Sequence, residues 1–297
     1  MLETSVKENF LDLFYHDIKD YELEKSNKLN LFTLKVKNNA FAYNELVESL
    51  SNQLYNFALS RTEIKTLEDL KAYGTLVKNA KEKLRVHTAN EGELGEVLLY
   101  CLLESHLNAP KILTKLEIKT AANDYVKGAD GVHLLKLNNT DYQLVLGESK
   151  LNADLQTGIY EAFSSLGKLV KNNDKMDFEI DLINSQLVKE AFDENLYSFL
   201  KKIIIPSAKD DEINMDYSFG IFLGFDINIT KEELLQNNAK FRENIREKIV
   251  NTINEQIIKS INFQINKAEF IGYDFHLYLL PFSDLAEIRK KIIKDLV

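Results

Sequence analysis

The sequence contains little cysteine, proline and glycine. Its 297 residues include one cysteine, three prolines and 11 glycines, and tryptophan is absent. The single cysteine, Cys101, excludes an intramolecular disulfide framework and a zinc site of four thiolates. Because no run is rich in proline, glycine or serine, the chain shows no flexible linker between independent domains. The composition therefore predicts an ordered protein of a reducing compartment.

The sequence also lacks a long apolar run and an excess of positive charge. No uninterrupted stretch of about 18 apolar residues occurs, and no basic region followed by an apolar one stands at the start. We therefore expect a cytoplasmic protein that has no membrane partner. The 37 basic and 46 acidic residues give a net charge of −9, which excludes a protein that coats nucleic acid with a generally basic surface. A nuclease remains compatible, because carboxylates hold the divalent cations that phosphodiester cleavage uses.

Several common catalytic motifs are missing. The chain has no Gly-x-x-x-x-Gly-Lys-Ser/Thr phosphate loop, no glycine-rich dinucleotide fingerprint after a strand and no His-Glu-x-x-His. The segment Gly147–Leu151 lacks the last glycine of a nucleophile elbow, and the Ser165-x-x-Lys168 motif lacks its companion motifs. These absences argue against ATP-binding, NAD-binding and zinc-protease functions.

The hydrophobic pattern predicts a mixed α/β fold. A helix that is apolar nearly all round spans about residues 94–103, and a β-hairpin turns at residues 138–141. Residues 1–85 are interpreted as an α+β accessory region, and residues 86–297 as the core with a C-terminal α/β extension. The other predicted elements are helices near 6–15, 43–60, 154–170, 186–201 and 231–261, a terminal helix after Pro281, and strands near 29–36, 111–120, 132–137, 142–147, 217–225 and 270–280.

Four charged residues form the candidate site. Side chains two apart in a strand face the same side at about 6.6 Å, so Glu148 and Lys150 point together while Ser149 points away. Asp130 lies before the preceding strand, where flanking glycines let the backbone approach a ligand. Glu96 lies among leucines in the first turns of the apolar helix. It either complements the helix dipole or joins the site, since a buried acid needs a partner.

This grouping predicts a bound divalent cation. Two carboxylates about 4 Å apart repel by about 4 kcal/mol at an effective dielectric of about 20, so Asp130 beside Glu148 needs a shifted pKa or a cation. Mg²⁺ is the expected ion, and Mn²⁺ substitutes for it. The expected ligands are Asp130, Glu148, the backbone carbonyl of Ser149 and Glu96, with waters completing the shell. Lys150 is expected to orient the attacking water and to offset charge on the phosphate.

The helix that follows this strand carries two more candidates. Gln156 and Tyr160 are four residues apart and share one helix face. Their position allows either of two interpretations. They bind a phosphate or contact Lys150, or they are ordinary surface residues.

These residues resemble the PD-(D/E)xK nuclease superfamily. Asp130, the Glu148-Ser149-Lys150 motif and the Gln156-x-x-x-Tyr160 motif match its pattern in order, and Ala129 replaces the named proline. The resemblance implies a restriction-endonuclease-like mixed sheet with helices on both faces.

Longer stretches resemble the HamA family, the nuclease subunits of the Hachiman anti-phage defence system. They are Gly92-Glu93-Leu94-Gly95-Glu96, Lys127–His133 and Leu146–Lys150, and the likeness is most specific over about residues 86–170. The resemblance implies a metal-dependent nuclease that degrades DNA and is restrained and activated by a helicase partner, HamB.

Two other functions remain open from the residues. The first is a non-catalytic scaffold that docks a DNA-translocating partner, with the acidic cluster serving as a structural ion pair. The second is a sugar hydrolase with two carboxylates about 5–9.5 Å apart. A chain without tryptophan offers a poor aromatic platform for a sugar, so this function ranks last.

Overall fold

The fold is built on a seven-stranded mixed sheet. The computed structural model describes residues 2–87, 92–118, 128–191, 193–204 and 213–297, without the side chains of residues 85–87, 118 and 173–175. The strands of this sheet and of a small two-stranded sheet (β3 and β4) are β1 (Phe14–Glu22), β2 (Lys28–Leu34), β3 (Val36–Lys37), β4 (Ala40–Phe41), β5 (Lys111–Thr114), β6 (Gly131–Lys136), β7 (Asp141–Leu151), β8 (Asn214–Asp226) and β9 (Asp274–Phe282).

The strand order across the large sheet is β1-β2-β9-β8-β7-β6-β5. The four central strands, β2, β9, β8 and β7, run parallel, whereas β1, β6 and β5 pair antiparallel with their neighbours. Since β2 pairs with β9, the first 85 residues contribute two strands to the same sheet as the remainder. The predicted mixed α/β class is confirmed, while the boundary at residue 85 stays a prediction.

Helices cover both faces of this sheet. They are α1 (Tyr43–Ala58), α2 (Arg61–Asp69), α3 (Tyr73–His87), α4 (Glu93–Ser105), α5 (Lys115–Ile118), α6 (Leu155–Val170), α7 (Asn173–Glu190), α8 (Glu194–Ile204), α9 (Lys231–Leu234), α10 (Asn238–Thr252), α11 (Glu255–Ile265) and α12 (Leu285–Leu296). None of the helices in the described ranges combines the length and the apolar character that a membrane crossing requires.

Glycines let α4 lie close to the central strands. A Cβ added to Gly147 of β7 would lie 3.0 Å from Leu99 of α4, and one added to Gly220 of β8 would lie 2.9 Å from Leu103. On the opposite face, α6 places Gly158 close to Leu223 of β8. Because successive side chains of a strand alternate between faces, α4 and α6 enclose β7 and β8 from both sides.

The predicted hairpin is confirmed. Strands β6 and β7 pair antiparallel, with Val132 opposite Leu146. The side chain of Asn138 accepts hydrogen bonds from the backbone N–H groups of Thr140 and Asp141, each at 2.9 Å, which stabilises the turn.

Three helix predictions are wrong. Instead of a helix over 6–15, a 3-10 turn over Glu8–Leu13 leads into β1, because the aromatic and β-branched residues that follow pair with β2. The helix expected over 186–201 is two helices, α7 and α8. The helix expected over 231–261 is three helices, because the side chains of Asn237 and Asn254 cap new helix starts.

The strand expected over 111–120 is shorter than predicted. Strand β5 ends at Thr114, and the short helix α5 begins at Lys115. Residues 119 and 120, the end of the expected strand, lie outside the described residues.

A buried charge network joins the N-terminal segment to the sheet. The Glu104 carboxylate of α4 accepts the backbone N–H of Val6 at 2.8 Å and that of Lys111 at 2.9 Å. The Arg61 guanidinium lies 3.7 Å from Glu104 and 3.4 Å from Glu190 of α7. Since Glu104 is fully buried, its charge depends on these partners.

We therefore expect Glu104→Ala to lower the free energy of unfolding by about 3–5 kcal/mol, because it leaves buried donors without an acceptor. Urea denaturation measures this loss. Glu243→Ala, at an exposed position of α10, is the matched control and should change the value by less than about 0.5 kcal/mol. Equal losses in the two variants would contradict the role of the network.

Candidate functional site

The candidate site lies where Asp130 enters the sheet beside the end of β7. The backbone N–H of Asp130 donates to the carbonyl of Gly147 at 2.9 Å. Its carboxylate Oδ2 accepts hydrogen bonds from the N–H and the hydroxyl of Ser149 at 2.8 and 2.9 Å. Two segments that are distant in sequence thus meet at one strand, and Asp130 lies next to the Glu148-Ser149-Lys150 motif.

Successive side chains of β7 alternate between the two faces of the sheet, as the spacing of its charged residues predicts. Ser149 faces α4, where a Cβ on Gly95 would lie 3.0 Å from its hydroxyl. Glu148 and Lys150 share the opposite face, and the Lys150 ammonium donates to the Glu148 carboxylate. The Lys150 side chain is 30% exposed, whereas that of Glu148 is 7% exposed. The lysine is therefore the member of the pair that solvent and a substrate can reach.

Burial controls the protonation of Glu148. Burial first, and the negative charge of Asp130 second, raise the pKa of Glu148 to about 7, while Lys150 and a hydrogen bond from Ser165 oppose the rise. Near neutral pH, the neutral and ionised forms of Glu148 are therefore similar in free energy. A cation placed between Asp130 and Glu148 would favour the ionised form.

A second lysine, Lys115 at the start of α5, lies in the same cluster. Its ammonium is 3.5 Å from Asp130 Oδ1, and its backbone N–H donates to the Asp130 carbonyl at 3.1 Å. Burial lowers the pKa of Lys115, but the charges of Asp130, Glu96 and Glu148 outweigh it and leave the pKa raised. Sequence reasoning missed Lys115 because no motif marks it among the 37 basic residues.

Glu179 of α7 is a further carboxylate that the sequence did not reveal. Its Oε1 accepts the backbone N–H of Ala129 at 3.1 Å. Gly128 has φ +142°, a conformation that favours glycine, and a Cβ added there would lie 1.7 Å from the same oxygen and displace the Glu179 side chain. Glu179 therefore fixes the backbone that leads into Asp130.

Glu96 lies at the N-terminal end of α4, buried, one residue after Gly95. Its charge contributes to the raised pKa of Lys115. Within the part of the chain that the structure describes, no group of three or more His, Cys, Asp and Glu side chains is arranged to hold a metal. Its predicted role as a metal ligand thus stays a prediction.

Gln156 and Tyr160 lie on the exposed face of α6. The Gln156 amide donates to the Ser260 hydroxyl of α11, and Tyr160 is 60% exposed. Among the described residues, the structure gives neither side chain a hydrogen bond to Asp130, Glu148 or Lys150. Their predicted role in phosphate binding stays a prediction.

Glu179 makes the stability of the chain depend on pH. Burial raises its pKa from 4.5 to about 7, although the bond from Ala129 opposes the rise. Between these two values the folded state binds more protons than the unfolded state, so the free energy of unfolding falls as the pH rises. The glutamine of Glu179→Gln stays neutral and keeps an acceptor for the Ala129 N–H. The variant should therefore lack the decrease in the free energy of unfolding that Glu179 causes as the pH rises.

The comparison uses the free energy of unfolding of Glu179→Gln minus that of the natural chain. We expect this difference to be about 1–3 kcal/mol larger at about pH 8 than at about pH 4.5. Urea denaturation at a series of pH values, in chelator, measures this difference. Glu243→Gln is the exposed control and should follow the natural chain. Parallel stability curves for Glu179→Gln and the natural chain would contradict the assignment.

The comparison with known families agrees with the resemblance of the short motifs. The profile of the HamA family matches residues 8–296, which include both N-terminal strands of the large sheet and every residue of the candidate site. No curated protein matches the sequence. Because the match covers nearly the whole chain, the chain belongs to the HamA family.

Proposed function

We propose that the chain is a metal-dependent deoxyribonuclease of the PD-(D/E)xK type and the effector of a Hachiman anti-phage defence complex. HamA membership supports the defence role. The observation that carries the nuclease role is the binding of Asp130 to Ser149, between the two charged residues of the Glu-x-Lys motif.

The residues around Asp130 fit a hard divalent cation. Asp130, Glu148 and the Ser149 carbonyl would hold it, and all three offer oxygen, the donor that Mg²⁺ prefers. The amide and the carbonyl of one strand residue point towards the same neighbouring strand, so the Ser149 carbonyl lies on the Asp130 side of β7. When bound, Mg²⁺ or Mn²⁺ would supply Lewis acidity for phosphodiester hydrolysis.

Lys150 is assigned the positioning of water and the stabilisation of negative charge on the phosphate. It is partly exposed, and its ammonium is held by Glu148, so it faces the site with few alternative positions. A preorganised cation at a water-poor site stabilises developing charge more effectively than one in bulk solvent.

The net charge supports a partner that holds the substrate. A chain of net charge −9 repels the phosphate backbone of DNA. We therefore assign DNA capture to the helicase HamB and phosphodiester hydrolysis to this chain.

The test is cleavage of plasmid DNA by the chain together with HamB. We expect Mg²⁺-dependent cutting that chelator abolishes and Mn²⁺ restores. Lys150→Ala should lower the rate by at least about 100-fold, since a positioned acid–base group or charge stabiliser contributes that much. Lys240→Ala, at an exposed position of α10, is the matched control and should cut normally. Cutting that persists with Lys150→Ala would contradict the mechanism.

A non-catalytic scaffold remains the second candidate. The observation that favours it is the ion pairing of Asp130 with Lys115 and of Glu148 with Lys150, which satisfies both carboxylates within the chain. Glu148→Gln separates the two functions, because it removes the charge and keeps the shape. A nuclease loses cutting but still assembles with HamB. A scaffold loses assembly or thermal stability, and its natural form does not cut.

A further inference from the structure

Lys115 has no part in the chemistry proposed above, yet it is held inside the candidate site. Its backbone N–H donates to the Asp130 carbonyl, and its ammonium lies 3.5 Å from the Asp130 carboxylate. The side chain is only 19% exposed. A flexible surface lysine pairs weakly and loses its geometry readily, whereas Lys115 is fixed to Asp130 both at its backbone and at its charged end.

The charges around Lys115 are those assigned to the divalent cation. Asp130, Glu96 and Glu148 all act on it electrostatically. The two lysines pair with different carboxylates. Lys150 pairs with Glu148 on the α6 face, and Lys115 pairs with Asp130. Among the described residues, the Asp130 carboxylate also accepts hydrogen bonds from the neutral donors of Ser149.

We propose that Lys115 is a resident cation of the site, one that neutralises Asp130 when no divalent ion is bound and competes with that ion for the carboxylate. The inference rests on the proposed function, because it concerns the ion that this function requires. A divalent ion at Asp130 comes close to a like charge, which weakens its binding. The same ammonium stabilises Asp130 near Glu148 without any metal.

Calorimetric titration of the 297-residue chain with Mn²⁺ tests the competition. Lys115→Met removes the charge and keeps most of the side-chain volume, and it should bind Mn²⁺ about tenfold or more tightly, as expected for removing a unit charge within a few ångströms. Lys115→Arg keeps the charge and should bind as the natural chain does. Lys240→Met is the matched exposed control and should show no change.

Thermal melting gives a second readout that does not depend on activity. In chelator, Lys115→Met should melt below Lys240→Met, and Mn²⁺ should recover the difference. If Lys115→Met does not fold in chelator, the polar variant Lys115→Gln replaces it. If a variant folds in Mn²⁺ but not in chelator, the proposal is supported. If both variants fail to fold in Mn²⁺ as well as in chelator, the proposal is overturned.

The outcomes separate this inference from the proposed function. If the natural chain binds Mn²⁺ and Asp130→Asn does not, the metal site stands. Unchanged or weaker binding by Lys115→Met then overturns the resident cation alone. If neither the natural chain nor Lys115→Met binds Mn²⁺, both the metal-dependent function and the resident cation are wrong.

Discussion

The site depends on the attachment of Asp130 to strand β7. One backbone hydrogen bond to Gly147 and two side-chain hydrogen bonds from Ser149 hold this residue beside the Glu-x-Lys motif. The antiparallel pairing of β6 with β7 brings Asp130 near this motif, and these hydrogen bonds fix its position there. Glu179 supports the attachment from the other side, because its carboxylate accepts the backbone N–H of Ala129 beside Gly128. The position of the Asp130 carboxylate therefore depends on the backbone around it as well as on its own hydrogen bonds.

The fold contains two sets of buried charged residues, which differ in their partners and in their exposure to solvent. Around Glu104, the carboxylate meets backbone donors and Arg61, and the network joins α2, α4, β5 and α7. Around Asp130, carboxylates gather near the C-terminal end of β7, and Lys150 is partly open to solvent. The first set is buried within the core, as a structural network requires. The second includes Lys150, which solvent can reach. Burial raises the pKa of a carboxylate in both sets, Glu190 in the first and Glu148 in the second.

The spacing of charged residues predicted part of the site and could not predict the rest. Glu148 and Lys150 share a face because strand periodicity is local. The glycines beside Asp130 predicted a backbone that a ligand can approach closely, and this stays a prediction. Lys115 and Glu179 carry no such mark. Each joins the cluster only because β5 and α7 pack near the start of β6, which Asp130 precedes, and no short motif encodes that packing. The helix predicted around Gln156 is confirmed, and its side chain donates to Ser260 of α11, a contact that the sequence did not reveal.

By itself, the sequence determined the α/β class, the hairpin of β6 and β7 with its asparagine turn, and the shared face of the Glu-x-Lys pair, because each follows from a repeat or a turn within a few residues. Tertiary structure alone decided that β2 pairs with β9, that the segment near residue 14 is a strand, and that Lys115 lies against Asp130. These outcomes depend on contacts between distant segments. Their free energy comes from burial and pairing across the whole sheet, which no local pattern contains.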